Sequence, residues 1–147
     1  MSVRPARPIE VLVVDDDEDD VLMMREALRT AKSSTRLEVL GDGSEVIPYL
    51  RGEGDHAAAN RPDLILLDLN LPGRSGNQVL ADIKGDPDLR RIPVVVLTVS
   101  GAEEDVLRSY DLHANAYVTK PVDFNSFLEA IRKIDEFFIT VIRLPPA

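Results

Sequence analysis

Apolar residues along the chain fall into short runs of two kinds, and the kinds alternate. Ile9–Val14 is a β-branched run that stops at an acidic cluster, which predicts a buried strand. From Asp19 to Ala31, Val21, Met24, Leu28 and Ala31 recur at helical spacing, with acidic residues in the first turn where the helix dipole favours them. Leu37–Leu40 predicts a second strand, closed by Gly41-Asp42-Gly43. The helix expected to follow, to about Arg51, contains Pro48, which should kink or shorten it. Gly52–Arg61 is rich in small and polar residues and predicts a loop.

The second half repeats the alternation. Leu64–Leu67 is wholly aliphatic, as expected of a strand covered on both faces. Ser75 and Gln78 have capping-box spacing ahead of Val79, Leu80 and Ile83, with Gly85 as the stop. Pro93 opens a fourth strand through Leu97. Ser100 and Glu103 suggest another capping box, for a helix carrying Val106, Leu107 and Tyr110. Ala116–Thr119 is the fifth strand, and Asp123 caps a last helix with Phe124, Phe127, Leu128, Ile131 and Ile134 along one side. Five strands alternating with five helices predict an α/β fold, a doubly wound five-stranded parallel sheet. Residues 1–8 are expected to be disordered, 9–135 to form the domain, and 136–147 to extend the last helix.

Composition narrows the chemistry. The 147 residues suit one domain, which at that length buries roughly 70% of the surface its unfolded chain exposes. A net charge of −9 argues against nucleic acid, whose phosphates need clustered Lys and Arg, and favours metal cations or basic protein surfaces. Absence of Cys excludes disulfides and thiolate zinc sites. The first eight residues hold no apolar run fit for a signal peptide, and no stretch could span a bilayer, so a cytoplasmic protein without membrane contact is expected.

In an open parallel sheet, ligands bind outside the carboxyl ends of the strands. There the pattern places Asp15 and Asp16 after the first strand, Asp68 after the third, Thr98 after the fourth and Lys120 after the fifth. Taken singly, each is an ordinary turn former, strand-end residue or exposed lysine; the joint arrangement carries the chemistry. Clustered carboxylates repel one another unless a cation intervenes. Mg²⁺ suits one or two carboxylates, a backbone carbonyl and several waters, which leaves positions for phosphoryl oxygens. A carboxylate can accept a phosphoryl group, while a lysine and a hydroxyl steady its oxygens. His56 and His113 lack metal-ligand spacing and are expected to be surface residues.

The segments Val13-Val14-Asp15-Asp16, Leu67-Asp68-Leu69-Asn70-Leu71-Pro72-Gly73, Val96-Leu97-Thr98 and Tyr117-Val118-Thr119-Lys120-Pro121 resemble the receiver domains of response regulators. All four occur in the family's order, and the resemblance runs from about Ile9 to Ile134. It implies the flavodoxin-like strand order 2-1-3-4-5. It implies Asp68 as phosphoacceptor, with Asp15, Asp16, Asp68 and the Asn70 backbone carbonyl holding Mg²⁺. Thr98 and Lys120 would bind phosphoryl oxygens, and Thr98 and Tyr117 would form the conformational switch. A histidine kinase would be the donor, and a phosphotransfer protein or effector the recipient of the signal. The aromatic-rich segment Phe137–Pro146 is similar to that of single-domain regulators paired with bacterial phytochrome-type kinases, and suggests a homodimer contact.

Two rivals fit less well. A haloacid-dehalogenase-type phosphatase would need a second Asp where Asn70 stands, together with a cap and further acidic ligands. A receiver-like module working without phosphorylation would not need the full acidic site. The one departure from the family pattern is Val99, where a small residue or Thr is usual. A branched side chain there should hinder water at the site, so phospho-Asp68 should decay faster in Val99→Ala than in the parent. Time-resolved intact-mass measurements compare the two, and equal decay removes the role given to Val99.

Overall fold

The computed structural model describes residues 8–29, 35–54, 61–98, 116–119 and 125. Five strands are described: β1 (Ile9–Val14), β2 (Thr35–Leu40), β3 (Leu64–Asp68), β4 (Val94–Thr98) and β5 (Ala116–Thr119). All pairings are parallel, in the order β2-β1-β3-β4-β5. That is the order the resemblance implied. Three helices are described, α1 (Glu18–Arg29), α2 (Val46–Arg51) and α3 (Gly76–Gly85). The helix expected after Ser100 and most of the one after Asp123 lie outside the described residues; Asn125 is helical.

Side-chain alternation along the strands builds two cores. Leu12, Val14, Ile65, Leu67, Val94 and Val96 pack on one face, against Val46, Tyr49 and Leu50 of α2 and Val79, Leu80 and Ile83 of α3. Val11, Val13, Leu64, Leu66, Val95 and Leu97 face the other way, against Met24, Ala27 and Leu28 of α1. Every residue of β3 is buried, which is why its sequence shows no polar alternation. Each buried aliphatic side chain stabilises the fold by roughly 1.5–3 kcal/mol before conformational entropy is counted. β2 differs because it lies at the sheet edge. Arg36 and Glu38 are exposed, and Arg36 pairs with Glu10 at 3.4 Å.

Local chemistry sets where the helices begin and end. The Asp17 carboxylate accepts the N–H groups of Asp19 (2.9 Å) and Asp20 (3.2 Å), so α1 starts at Glu18, one residue before the expected point. Pro48 shortens rather than kinks its helix. A 3₁₀ turn over Gly43–Glu45 leads into the six residues of α2, where Pro48 occupies the first turn and its missing N–H breaks no intrahelical bond. Gly52 then ends α2 in the left-handed region (φ 66°). Ser75 and Gln78 form the predicted capping box of α3. Gly85 is the last residue of α3 and is not left-handed; the extended Asp86 and then Pro87 end the helix. No described helix is long and apolar enough to cross a membrane.

At the opposite edge from the strands' carboxyl ends, Asp86 ties three elements together. Its carboxylate accepts from the Asp88 N–H (2.8 Å), the Leu89 N–H (3.2 Å) and the Arg51 guanidinium (3.0 Å). The Asp88 N–H first, then Arg51, hold its pKa below the ordinary 3.8. A lowered folded pKa means that the unfolded chain binds the proton more readily, so the contribution is present above pH about 4 and is lost as pH falls through the folded value. Asp86→Ala should therefore lower the urea midpoint at neutral pH, and the gap from the parent should narrow by pH 3. A constant gap across that range would show that ionised Asp86 contributes nothing.

Candidate metal and phosphoacceptor site

The register of β1 against β3 brings the acidic residues together. Val14 is opposite Leu67, so the next residues on each strand, Asp15 and Asp68, emerge side by side. Asp16 completes a group of three carboxylates whose oxygens lie within 4.8 Å of one another. Asp15 and Asp68 are 1% and 2% exposed, whereas Asp16 faces solvent. Two buried carboxyl groups and a third at their mouth repel one another when ionised, and such a set favours a cation.

Backbone groups hold the two buried carboxylates in place. The Asp17 N–H donates to Asp15 Oδ1 at 2.9 Å, and the Asn70 N–H donates to Asp68 Oδ1 at 3.1 Å. Each aspartate is thus clasped by the residue two positions on, a turn that short acidic side chains favour. The Asp15 N–H in turn bonds the Leu40 carbonyl at the end of β2, at 3.1 Å. Asn70 is exposed, on a loop that closes tightly into α3: the Gly76 N–H bonds the Leu69 carbonyl at 3.0 Å. Gly76 lies so close to the Asp68 carbonyl that a Cβ there would overlap it.

An oxygen-only set of this kind, part buried and part open to solvent, fits a hard divalent ion that keeps several waters. Asp15, Asp16 and Asp68 are thus brought together as the sequence predicted, and Asn70 stands next to them. Thr98 ends β4, one residue beyond the Asp68–Leu97 pair, and its register partner is Thr119 at the end of β5. Tyr117 is in β5 opposite Val96. The side-chain contacts of Thr98 and Tyr117 lie outside the described structure, as do Val99, Lys120, both histidines and the segment 136–147.

The sequence matches the response regulator receiver domain over residues 11–132. The chain belongs to that family. Response regulator Rcp1 of Synechocystis sp. is 42% identical over 147 residues, covering all of both chains. Among solved structures, the phosphorylated cyanobacterial phytochrome response regulator RcpA is 44% identical with a TM-score of 0.81, covering 95% of this chain and 99% of that one. The Mn²⁺-bound form of Rcp1 is 42% identical with a TM-score of 0.80, covering 94% of this chain and 99% of the other. This receiver therefore has a relative of its own length that binds a divalent metal ion, and receiver response regulators are signalling proteins.

Sequence reading missed two features of this receiver. Asp17, one of the acidic residues that follow β1, caps α1 and clasps Asp15. A groove of about 390 Å³ also runs from Asp15 and Asp16 along α1, lined by Val21, Leu22, Arg25 and Val39. Leu22 is 63% exposed there. The signal was available, since Leu22 lies off the helical stripe of Val21, Met24 and Leu28.

Removing one of three clustered carboxylates should relieve their mutual repulsion. Asp15→Asn keeps the oxygen that accepts the Asp17 N–H, so the turn should survive. We expect its melting temperature in EDTA to equal or exceed that of the parent, and its gain on adding Mg²⁺ to shrink or vanish. Calorimetric melts with and without Mg²⁺ measure both. An undiminished gain would place the ion elsewhere.

Proposed function

We propose that Asp68 accepts a phosphoryl group from the phosphohistidine of a histidine kinase, at a Mg²⁺ site formed by Asp15, Asp16, Asp68 and the Asn70 backbone carbonyl. The observation that carries this reading is the convergence of three carboxylates within 4.8 Å at the ends of β1 and β3. In the transfer an Asp68 oxygen attacks phosphorus, a P–O bond forms, and the P–N bond breaks with its electron pair returning to the imidazole. The ion, when bound, offsets the carboxylate charge and the charge on the phosphoryl oxygens. The Asn70 N–H fixes the orientation of the Asp68 carboxylate. Thr98 donates its hydroxyl to one phosphoryl oxygen and Lys120 its ammonium to another. Hydrolysis of the acyl phosphate releases inorganic phosphate and resets Asp68.

The added charge draws Thr98 and Tyr117 inward, and the signal leaves by protein contacts to a phosphotransfer protein or effector. Likeness to Rcp1 and RcpA supports a phytochrome-type kinase as donor. The aromatic-rich residues 136–147 serve a homodimer contact. The protein works in the cytoplasm, where such kinases present their phosphohistidine.

Intact-mass spectrometry after incubation with acetyl phosphate and Mg²⁺ should show one added phosphate on the parent. Neither Asp68→Asn nor the parent in EDTA should gain it. Persistence of the gain in Asp68→Asn would move the acceptor to another residue, and no gain on the parent would reject the transfer chemistry.

A further inference from the structure

One short segment touches both halves of the acidic site without supplying a carboxylate to it. At its start, the Leu40 carbonyl accepts the Asp15 N–H at 3.1 Å. Three residues on, the Gly43 N–H donates to the Pro72 carbonyl, also at 3.1 Å, in the loop that carries Asn70. Gly43 is buried, and a Cβ there would overlap the Arg74 carbonyl. The contact is tight from the other side as well. Gly73 has φ 76°, and a Cβ on it would run into the Asp42 carboxylate. Two glycines on facing loops therefore let the turn after β2 seat against the loop after β3, with Gly43 against backbone and the Asp42 carboxylate against Gly73.

Asp42 holds that turn in shape. Its Oδ1 accepts the Ser44 N–H at 2.8 Å and the Ser44 hydroxyl at 2.7 Å, capping the 3₁₀ turn over Gly43–Glu45. Asn70, which clasps Asp68, is two residues from the Pro72 carbonyl that Gly43 engages. The loop between Asp68 and α3 is thus pinned at its close by Gly76 and at its middle by Gly43.

We infer that Asp42 and Gly43 are positioning residues, which hold the Asn70 loop at a fixed distance from Asp15 and thereby set the affinity of the site for a divalent cation. This rests on the reading that Asp15, Asp16 and Asp68 hold such a cation, and goes beyond it in assigning part of the affinity to a turn that contributes no ligand. A turn that merely stabilises the fold would lower the unfolding midpoint and leave the affinity of the folded protein unchanged. A positioning turn changes that affinity.

The test is calorimetric titration of the whole chain with Mg²⁺, at a temperature where each variant is folded by circular dichroism, beside urea unfolding in EDTA. Asp42→Ala, which loses both bonds to Ser44, should bind Mg²⁺ about tenfold more weakly, the low end of what residues that orient metal ligands are worth. Asp42→Asn keeps an acceptor oxygen and should restore most of the affinity, and Gly43→Ala should lose it as Asp42→Ala does. Unchanged affinity in Asp42→Ala, with only the urea midpoint lowered, overturns the proposal. Equal losses in Asp42→Ala and Asp42→Asn overturn it too, because the charge of Asp42 and not its bonds would then be responsible. A parent that does not bind Mg²⁺ defeats the cation reading itself, which separates that failure from failure of the turn's role.

Discussion

The gathering of three carboxyl groups in a small, mostly buried volume is the constraint to which the rest of this structure answers. Three carboxylate groups approach within 4.8 Å, two of them almost wholly out of solvent. They are held by the β1–β3 pairing, whose last matched residues are Val14 and Leu67, and that pairing is held by apolar packing on both faces. The hydrophobic effect, non-directional and collective, fixes the position of groups that would otherwise separate. The two cores serve the acidic rim as much as they serve stability.

The sheet was legible in the sequence because a fully covered parallel strand leaves a plain record. Leu64–Leu67 and Val94–Leu97 are aliphatic runs too short for helices, and strands form at both. The carboxylates were legible for a related reason, since a polar residue straight after such a run has only the strand's end to occupy. The strand order was not in the pattern of residues. It came with the resemblance, and the pairings agree with it.

What remained hidden was carried by the backbone. That Asp17 caps α1 and clasps Asp15 depends on which N–H groups point at which oxygens, and a run of six acidic residues does not say which one turns back. The effect of Pro48 depended on its exact place: in the first turn it costs little, two turns later it would have broken the helix. Nothing in the residue pattern marks out Gly43, Gly73 or Gly76. Only their spacing from the Arg74 carbonyl, the Asp42 carboxylate and the Asp68 carbonyl shows that a single methyl group would not fit at any of the three. Close approach between two loops leaves no periodicity to read.

The backbone clasps on Asp15 and Asp68 have a thermodynamic consequence. A free aspartate side chain samples several rotamers, and ordering it on ion capture removes that freedom. Here each buried carboxylate is already tethered by the amide two residues along, so the ordering takes place when the chain folds and not when the ion arrives. Exposed Asp16 is the member of the group left with rotamers to lose. On the proposed capture of a cation, the entropy lost by the protein would therefore be concentrated in one side chain at the mouth, with the two beneath it already in place.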